Sequence, residues 1–252
     1  MISRLRTFSE YGRLLRRLLG FALLCVLPAA AATVSGSVRL IESHDPGVRK
    51  DNDYSGVVIW LERADGTALP VQPKTAQMAQ RKKHFDPSIL ALPVGSTVSF
   101  PNFDPIFHNA FSNFAGHTFD VGLYPPGTVP KEPFKRSGIV RVFCNIHPTM
   151  SAVIVVLDTP YIALSNRDGS FHIDDVKPGE YRLHLFHERA TEKAIRGLER
   201  NLMVGDVPIT LGAIEVSESG YIQTPHSNKY GHDYPAVIED RPMYGPGKRQ
   251  LR

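Results

Sequence analysis

The chain contains little cysteine and little tryptophan, with two Cys and one Trp among 252 residues. So few cysteines exclude a disulfide-rich scaffold. The sequence also lacks internal repeats and low-complexity tracts. Its 42% hydrophobic and 21% charged residues exclude a disordered or collagen-like chain. The length fits one large β domain or two small ones.

The chain has no net charge beyond residue 32. Five arginines and one glutamate in residues 1–32 contribute a net charge of +4, which equals the formal charge of the whole chain. The remainder therefore gives no indication of binding to nucleic acid or to anionic membranes.

The arginine-rich start precedes an apolar run over residues 18–27 and the four alanines at 29–32. This order predicts a secretory signal peptide over residues 1–32, cleaved near Ala31 or Ala32. The apolar run is short for a bilayer span, which makes an uncleaved anchor the weaker alternative. We expect a periplasmic protein that has no membrane contact after the leader is removed.

Short apolar segments separated by Pro- and Gly-containing turns follow the leader, for example at 57–61, 138–143 and 152–157. Many short strands with regular turns are typical of a β-sandwich or barrel. The sequence contains no G-x-S-x-G, H-E-x-x-H, phosphate-loop or dinucleotide-binding motif, and we predict that the protein is not an enzyme.

One loop concentrates soft metal ligands. Cys144, His147 and Met150 follow the spacing C-x2-H-x2-M between two predicted strands. Thiolate, imidazole and thioether together suit copper, whereas structural zinc sites, the alternative, seldom use Met. Once the leader is removed, Cys144 has no intramolecular disulfide partner. A trigonal copper site needs a second imidazole, which His108 at the end of an upstream strand can supply.

The block 98–111 and the loop 144–150 resemble the cupredoxin family of plastocyanin, azurin and amicyanin. The spacing of the loop, with a proline after its histidine, is similar to that of amicyanin. The resemblance implies a cupredoxin Greek-key β-sandwich over residues 33–157 that holds one type 1 copper ion.

The same resemblance implies a role for each candidate site residue. His108, Cys144 and His147 would be the equatorial ligands, and Met150 would be the weak axial one. Asn109 would hydrogen-bond toward the cysteine loop, and such bonds hold a thiolate and tune its potential.

Residues 158–224 resemble a carboxypeptidase regulatory-like, or transthyretin-like, β-sandwich. The match rests on Asp-Gly-Ser-Phe at 168–171 and on Pro-Gly-Glu-Tyr at 178–181, and it indicates a fold and no function. We therefore predict an all-β chain with a second, smaller sandwich and an extended tail over residues 225–252. His226 and His232 in that tail are better explained by a solvated or packed segment than by a second metal site. The whole arrangement resembles bacterial periplasmic plastocyanin-like or methylamine-utilisation-type proteins.

Three functions remain open at this point. They are a periplasmic one-electron carrier, a copper carrier or storage protein without a redox role, and a non-redox binding module with a structural metal. An axial Met150 would leave no open coordination position, which favours electron transfer over catalysis. The resemblance implies electron exit through a solvent-facing His147 ring edge, within an apolar patch formed by Phe103, Phe107, Ile146 and Pro148. A c-type cytochrome or a periplasmic dehydrogenase is the expected redox partner, by analogy.

Overall fold

The structure is a computed structural model that describes residues 31–113, 116–222 and 226–235. The predicted leader up to residue 30 and the tail beyond residue 235 lie outside the described residues. Strands dominate the described chain, which confirms the all-β prediction. Among these residues, no helix reaches the length and hydropathy that crossing a bilayer requires.

The strands are short and follow one another with few helices. In chain order the elements are β1 (Ala32–Ile41), α1 (Pro46–Asp51), β2 (Val58–Arg63), β3 (Thr75–Gln77), β4 (Ala79–Arg81), β5 (His84–Asp86), β6 (Ile89–Pro93), β7 (Thr97–Ser99), β8 (His108–Ser112), β9 (Phe119–Tyr124), β10 (Lys131–Pro133), β11 (Gly138–Phe143), β12 (Ser151–Leu157), β13 (Ile162–Leu164), β14 (Ser170–Val176), β15 (Gly179–Phe186), α2 (Glu192–Arg196), β16 (Arg200–Val204), β17 (Ile209–Thr210) and β18 (Ile214–Ser217).

Two sheets form a sandwich from strands at both ends of the described chain. One sheet has the order β14-β1-β17, with β18 also paired to β1, and the other has the order β13-β2-β15-β16. Alternate side chains of β15, namely Tyr181, Leu183 and Leu185, are buried in the shared core. This period of two is the pattern expected where one face of a sheet is covered.

A second pair of sheets is built from the middle of the chain. The sheet β6-β12-β11-β8-β9 faces the sheet β10-β7-β3 across an apolar core that includes Phe100, Phe134 and Ile154. The hairpin of β4 and β5 lies beside them. Below, we call this pair the central sandwich and the pair containing β1 and β2 the outer sandwich.

The strand pairing corrects the domain boundary drawn from the sequence. Residues 33–157 were expected to form one domain, yet β1 pairs with β14, β17 and β18, and β2 pairs with β13 and β15. The first two strands therefore belong to the outer sandwich, and the central sandwich is inserted after β2. The physical reason is that these strands pair with partners far away in the sequence. The alternation of apolar and polar residues within a strand shows which face is buried, but not which strand lies beside it.

An apolar layer joins the two sandwiches. Val153 and Val155 on β12 meet Val58 on β2, while Ile154 and Val156 point into the central core. This arrangement explains the uninterrupted apolar run of β12, because a strand that is covered on both faces has no solvent-facing positions for polar side chains. The strand that begins after Met150 is thereby fixed on both sides.

A buried ionic cluster secures the end of the outer sandwich. The Glu218 carboxylate accepts hydrogen bonds from Ser43 Oγ at 2.6 Å and Arg189 Nε at 3.1 Å, and it contacts His187 Nε2 at 2.8 Å. Burial alone would raise the pKa of Glu218, but these hydrogen bonds outweigh it and lower the pKa to about 2. The carboxylate is therefore charged in the folded protein at neutral pH.

Candidate metal centre

The seven residues from Cys144 to Met150 connect β11 to β12. These strands are paired up to Phe143 and Ser151, so the loop leaves and re-enters the sheet at adjacent positions. Within the loop, Cys144 N–H donates to Met150 C=O at 3.2 Å and Met150 N–H donates to His147 C=O at 3.0 Å. The backbone is thus closed on itself and folds the side chains toward one point.

His108 approaches the loop from the neighbouring strand. Phe143 on β11 is paired with Phe111 on β8, which places the start of β8 beside the loop. His108 Nδ1 lies 3.8 Å from Cys144 Sγ, and His147 Nδ1 lies 3.7 Å from the same sulfur. One ligand atom of each of these three residues lies within 4.8 Å of the others. The structure therefore brings together the three residues that the resemblance assigned to equatorial positions.

Met150 is fully buried at the far end of the loop, in the same apolar core as Cys144. It follows His147 by three residues in the sequence, and its role as an axial ligand stays a prediction. The same holds for the ligand roles of His108, Cys144 and His147.

The site holds its sulfur in a form suited to a metal. Burial alone would raise the pKa of the Cys144 thiol. Contacts with His108 and His147, together with the backbone N–H groups of Ile146 and His147, outweigh burial and lower the pKa to about 6. A buried thiolate between two imidazoles is a donor set that fits a soft or borderline ion such as copper.

Asn109 makes the predicted contact with the cysteine loop. Its Oδ1 accepts a hydrogen bond from Asn145 N–H at 3.3 Å. Its Nδ2 donates to Asp120 Oδ1 at 2.7 Å and to Gly122 C=O at 2.8 Å. Asn109 thereby ties the loop to β9, and its influence on a bound ion stays a prediction.

Asp104 is a further residue of the site that cannot be recognised from the sequence. Its Oδ2 lies 2.8 Å from His108 Nε2, on the opposite side of the ring from Cys144. The carboxylate also accepts the backbone N–H groups of Lys82 and Lys83. The sequence contains one feature that points to this pair, the four-residue spacing between Asp104 and His108. That spacing alone does not predict a contact, because the contact depends on the fold of the loop 101–107.

The described part of the tail packs against the site, in contrast to the extended tail expected from residue 225 onward. Tyr234 OH donates to Cys144 C=O at 2.6 Å, and Lys229 N–H donates to Asn145 Oδ1 at 2.9 Å. Lys229 Nζ also pairs with Asp120 Oδ2 at 2.7 Å. We call residues 144–150 the ligand loop. We call residues 226–235 the clamp segment, because they hold Cys144 and Asn145, the first two residues of that loop.

His226 belongs to this clamp segment. Its ring stacks on Phe143 with centroids 4.1 Å apart, and its Nδ1 lies 3.2 Å from Tyr234 OH. These contacts agree with the expectation of a packed segment for His226. Phe143 points away from the central core, and the His226 ring covers it. This aromatic contact explains why the clamp segment packs here.

Replacing Tyr234 with phenylalanine should loosen the ligand loop. The change removes one hydrogen-bond donor and keeps the ring, at a cost of about 1 kcal/mol, which corresponds to about a fivefold larger open population. Thiol-reagent kinetics on metal-free protein lacking the predicted leader measure this opening at Cys144. The control is Tyr230→Phe in the same segment, whose side chain is exposed. Equal rates in the two variants would contradict the clamp.

The surface around His147 differs from the expectation. The sequence predicts that its ring edge faces solvent, whereas the residue is 4% exposed. Its ring packs edge-on against His108 at 4.9 Å between centroids, which draws it inward. Of the predicted apolar patch, Phe103 and Pro148 are exposed, while Phe107 and Ile146 are half-buried.

No protein-family model and no curated protein sequence matches the chain. Among solved structures it is similar to a novel purple cupredoxin from Nitrosopumilus maritimus, with 24% identity over 32% of this chain and 99% of that chain, at a TM-score of 0.30. A reduced amicyanin mutant is 20% identical over 32% of this chain and 80% of its own, at 0.31. A copper-containing nitrite reductase from Thermus scotoductus is 25% identical over 48% of this chain and 28% of its own, at 0.32. The function proposed below therefore rests on the residues of the site itself.

Proposed function

We propose that the protein is a type 1 copper protein that carries single electrons. The observation that carries the proposal is the convergence of Cys144 Sγ with the Nδ1 atoms of His108 and His147 in one buried cluster. A bound copper ion would supply a one-electron couple. The thiolate and the two imidazoles would hold it, and Met150 would complete the set with a soft thioether.

The surroundings of the cluster support electron transfer more than ion delivery. The loop is fixed at Cys144 by Tyr234, at Asn145 by Asn109, and at its end by the two-sided burial of β12. Ligands held by such supporting contacts keep their positions when the charge at the centre changes. A carrier that releases its ion would instead need a loop that opens readily.

The compartment and partner are also part of the proposal. The basic, apolar and alanine-rich order of residues 1–32 supports export to the periplasm. Exposed Phe103 and Pro148 lie near the ligands in sequence and offer a small apolar surface for transient docking. A c-type cytochrome or a periplasmic dehydrogenase is the proposed class of partner, and no catalytic turnover is assigned to the chain.

A redox titration of the copper-loaded protein tests the proposal. We expect a reversible one-electron transition with one copper per chain and no loss of metal over repeated cycles. Irreversible release of copper on reduction would support a copper carrier instead, and failure to bind copper would leave a non-redox module.

Replacing Met150 with glutamine should lower the reduction potential while copper stays bound. An amide oxygen is a harder ligand than a thioether and favours Cu(II) over Cu(I). We expect at least a tenfold shift in that equilibrium, equivalent to about 59 mV for a one-electron couple. Protein-film voltammetry measures it, with Met203→Gln as an exposed control. An unchanged or raised potential would mean that Met150 serves the core and not the metal.

A further inference from the structure

The two ring nitrogens of His108 face different groups. Nδ1 points to Cys144 Sγ at 3.8 Å, and Nε2 points to Asp104 Oδ2 at 2.8 Å. The histidine is fully buried, and the side chain of Asp104 is 9% exposed. The imidazole is therefore held between the thiol and a nearly buried carboxylate.

Asp104 is itself fixed by three backbone contacts. Its carboxylate accepts Lys82 N–H at 2.5 Å and Lys83 N–H at 2.8 Å, and its own N–H donates to Asn102 Oδ1 at 3.0 Å. Lys82 and Lys83 form the tip of the β4–β5 hairpin with φ values of 53° and 59°. This left-handed conformation is uncommon for residues other than glycine, and here it aims two successive N–H groups at one carboxylate.

This arrangement determines which nitrogen of His108 carries the proton. A carboxylate that receives only N–H donors has no hydrogen to offer, so Nε2 must be the protonated nitrogen. Nδ1 then carries no proton and directs its lone pair at Cys144, so in this tautomer the N–H groups that stabilise the Cys144 thiolate are those of the Ile146 and His147 backbone. A carboxylate behind an imidazole also raises its basicity as a ligand, which favours the more highly charged state of a metal ion.

We propose that Asp104 is a positioning residue of the metal centre, which holds His108 as the Nε2–H tautomer and lowers the reduction potential of the bound ion. The second part rests on the proposed function, whereas the first concerns the protein without metal. Asp104 also links the ligand to the β4–β5 hairpin, so the conformation of the hairpin tip becomes part of the site.

The test uses the Asp104→Asn variant. In copper-free protein, nitrogen-15 spectra of the histidine rings should show His108 as the Nε2–H tautomer in the wild type and as a mixture in the variant. In copper-loaded protein, the variant should favour the reduced form at least tenfold more, which is about 59 mV for one electron. The control is Asp86→Asn, which removes an exposed carboxylate from the same hairpin.

The outcomes separate this inference from the proposed function. An Nδ1–H tautomer of His108 in the wild type would overturn the positioning role, and this measurement stands even if the variant does not fold. A potential shift no larger than that of Asp86→Asn would overturn the electronic role. If the wild type binds no copper but shows the expected tautomer, the proposed function fails and the positioning role remains.

Discussion

We expect copper loading to give the wild type an intense visible absorption that the Cys144→Ser variant lacks completely. That absorption arises from charge transfer between a thiolate and Cu(II), and a serine hydroxyl provides no such donor. Serine has nearly the volume of cysteine, so the fully buried position accepts it without a large cavity. Absorption spectra of both proteins at equal copper loading give the comparison.

The control for this variant is Thr149→Ser, a conservative change at an exposed position of the same loop. It should keep the full absorption. Circular dichroism should show that both variants remain folded. An absorption band that survives in Cys144→Ser would mean that Cys144 does not bind the metal, and the account of the site would then be wrong.

The Glu218→Gln variant should destabilise the fold by about 3 kcal/mol. The side chain is 4% exposed, and its loss as an anion leaves Arg189 and His187 without their shared partner. Removing one member of such a cluster costs more than the net value of the cluster, because the groups left behind stay partly desolvated. Arg189 is 31% exposed and, within the described part of the chain, keeps only Asp45, at 3.7 Å, as a carboxylate partner. Urea denaturation measures the change in the free energy of unfolding.

The matched control is Glu215→Gln on β18, the strand that ends directly before Glu218. Glu215 is 57% exposed and lies 3.9 Å from Arg39, so its loss should change stability by less than about 1 kcal/mol. Equal effects of the two substitutions would show that the Glu218 cluster does not secure the outer sandwich.

The pH dependence follows from the lowered pKa of Glu218. Its ordinary value is 4.5 and its folded value is about 2. Its contribution is therefore fully present above about pH 4.5 and is lost as the pH falls toward 2. The stability difference between wild type and Glu218→Gln should shrink across that window.

Much of the local structure could be predicted from the sequence. The alternation in β1 and β15 and the continuous apolar run of β12 predict strands at the positions where they are found. The assignment of β1 and β2 to the outer sandwich could not be predicted in the same way. It depends on pairing across more than 100 residues, for example Val34 with Ile173, and nothing in the local pattern encodes it.

Some residues of the candidate site could likewise be predicted from the sequence, and others could not. Cys144, His147 and Met150 are recognisable because a short loop places three ligand types at fixed spacing. Asp104 and Tyr234 are not, because each acts through a contact that only the folded chain creates. Residues that support ligands carry no chemical signature of their own, and a carboxylate or a phenol is common at any surface.

A titration of the metal-free protein with Cu(II), followed by visible absorption, tests most directly whether His108, Cys144 and His147 bind copper. We expect an intense thiolate-to-copper band that grows linearly, saturates at one copper per chain and disappears on reduction. A chain that binds copper without such a band, or that shows no saturation at one equivalent, would contradict the assignment of His108, Cys144 and His147 as the metal ligands.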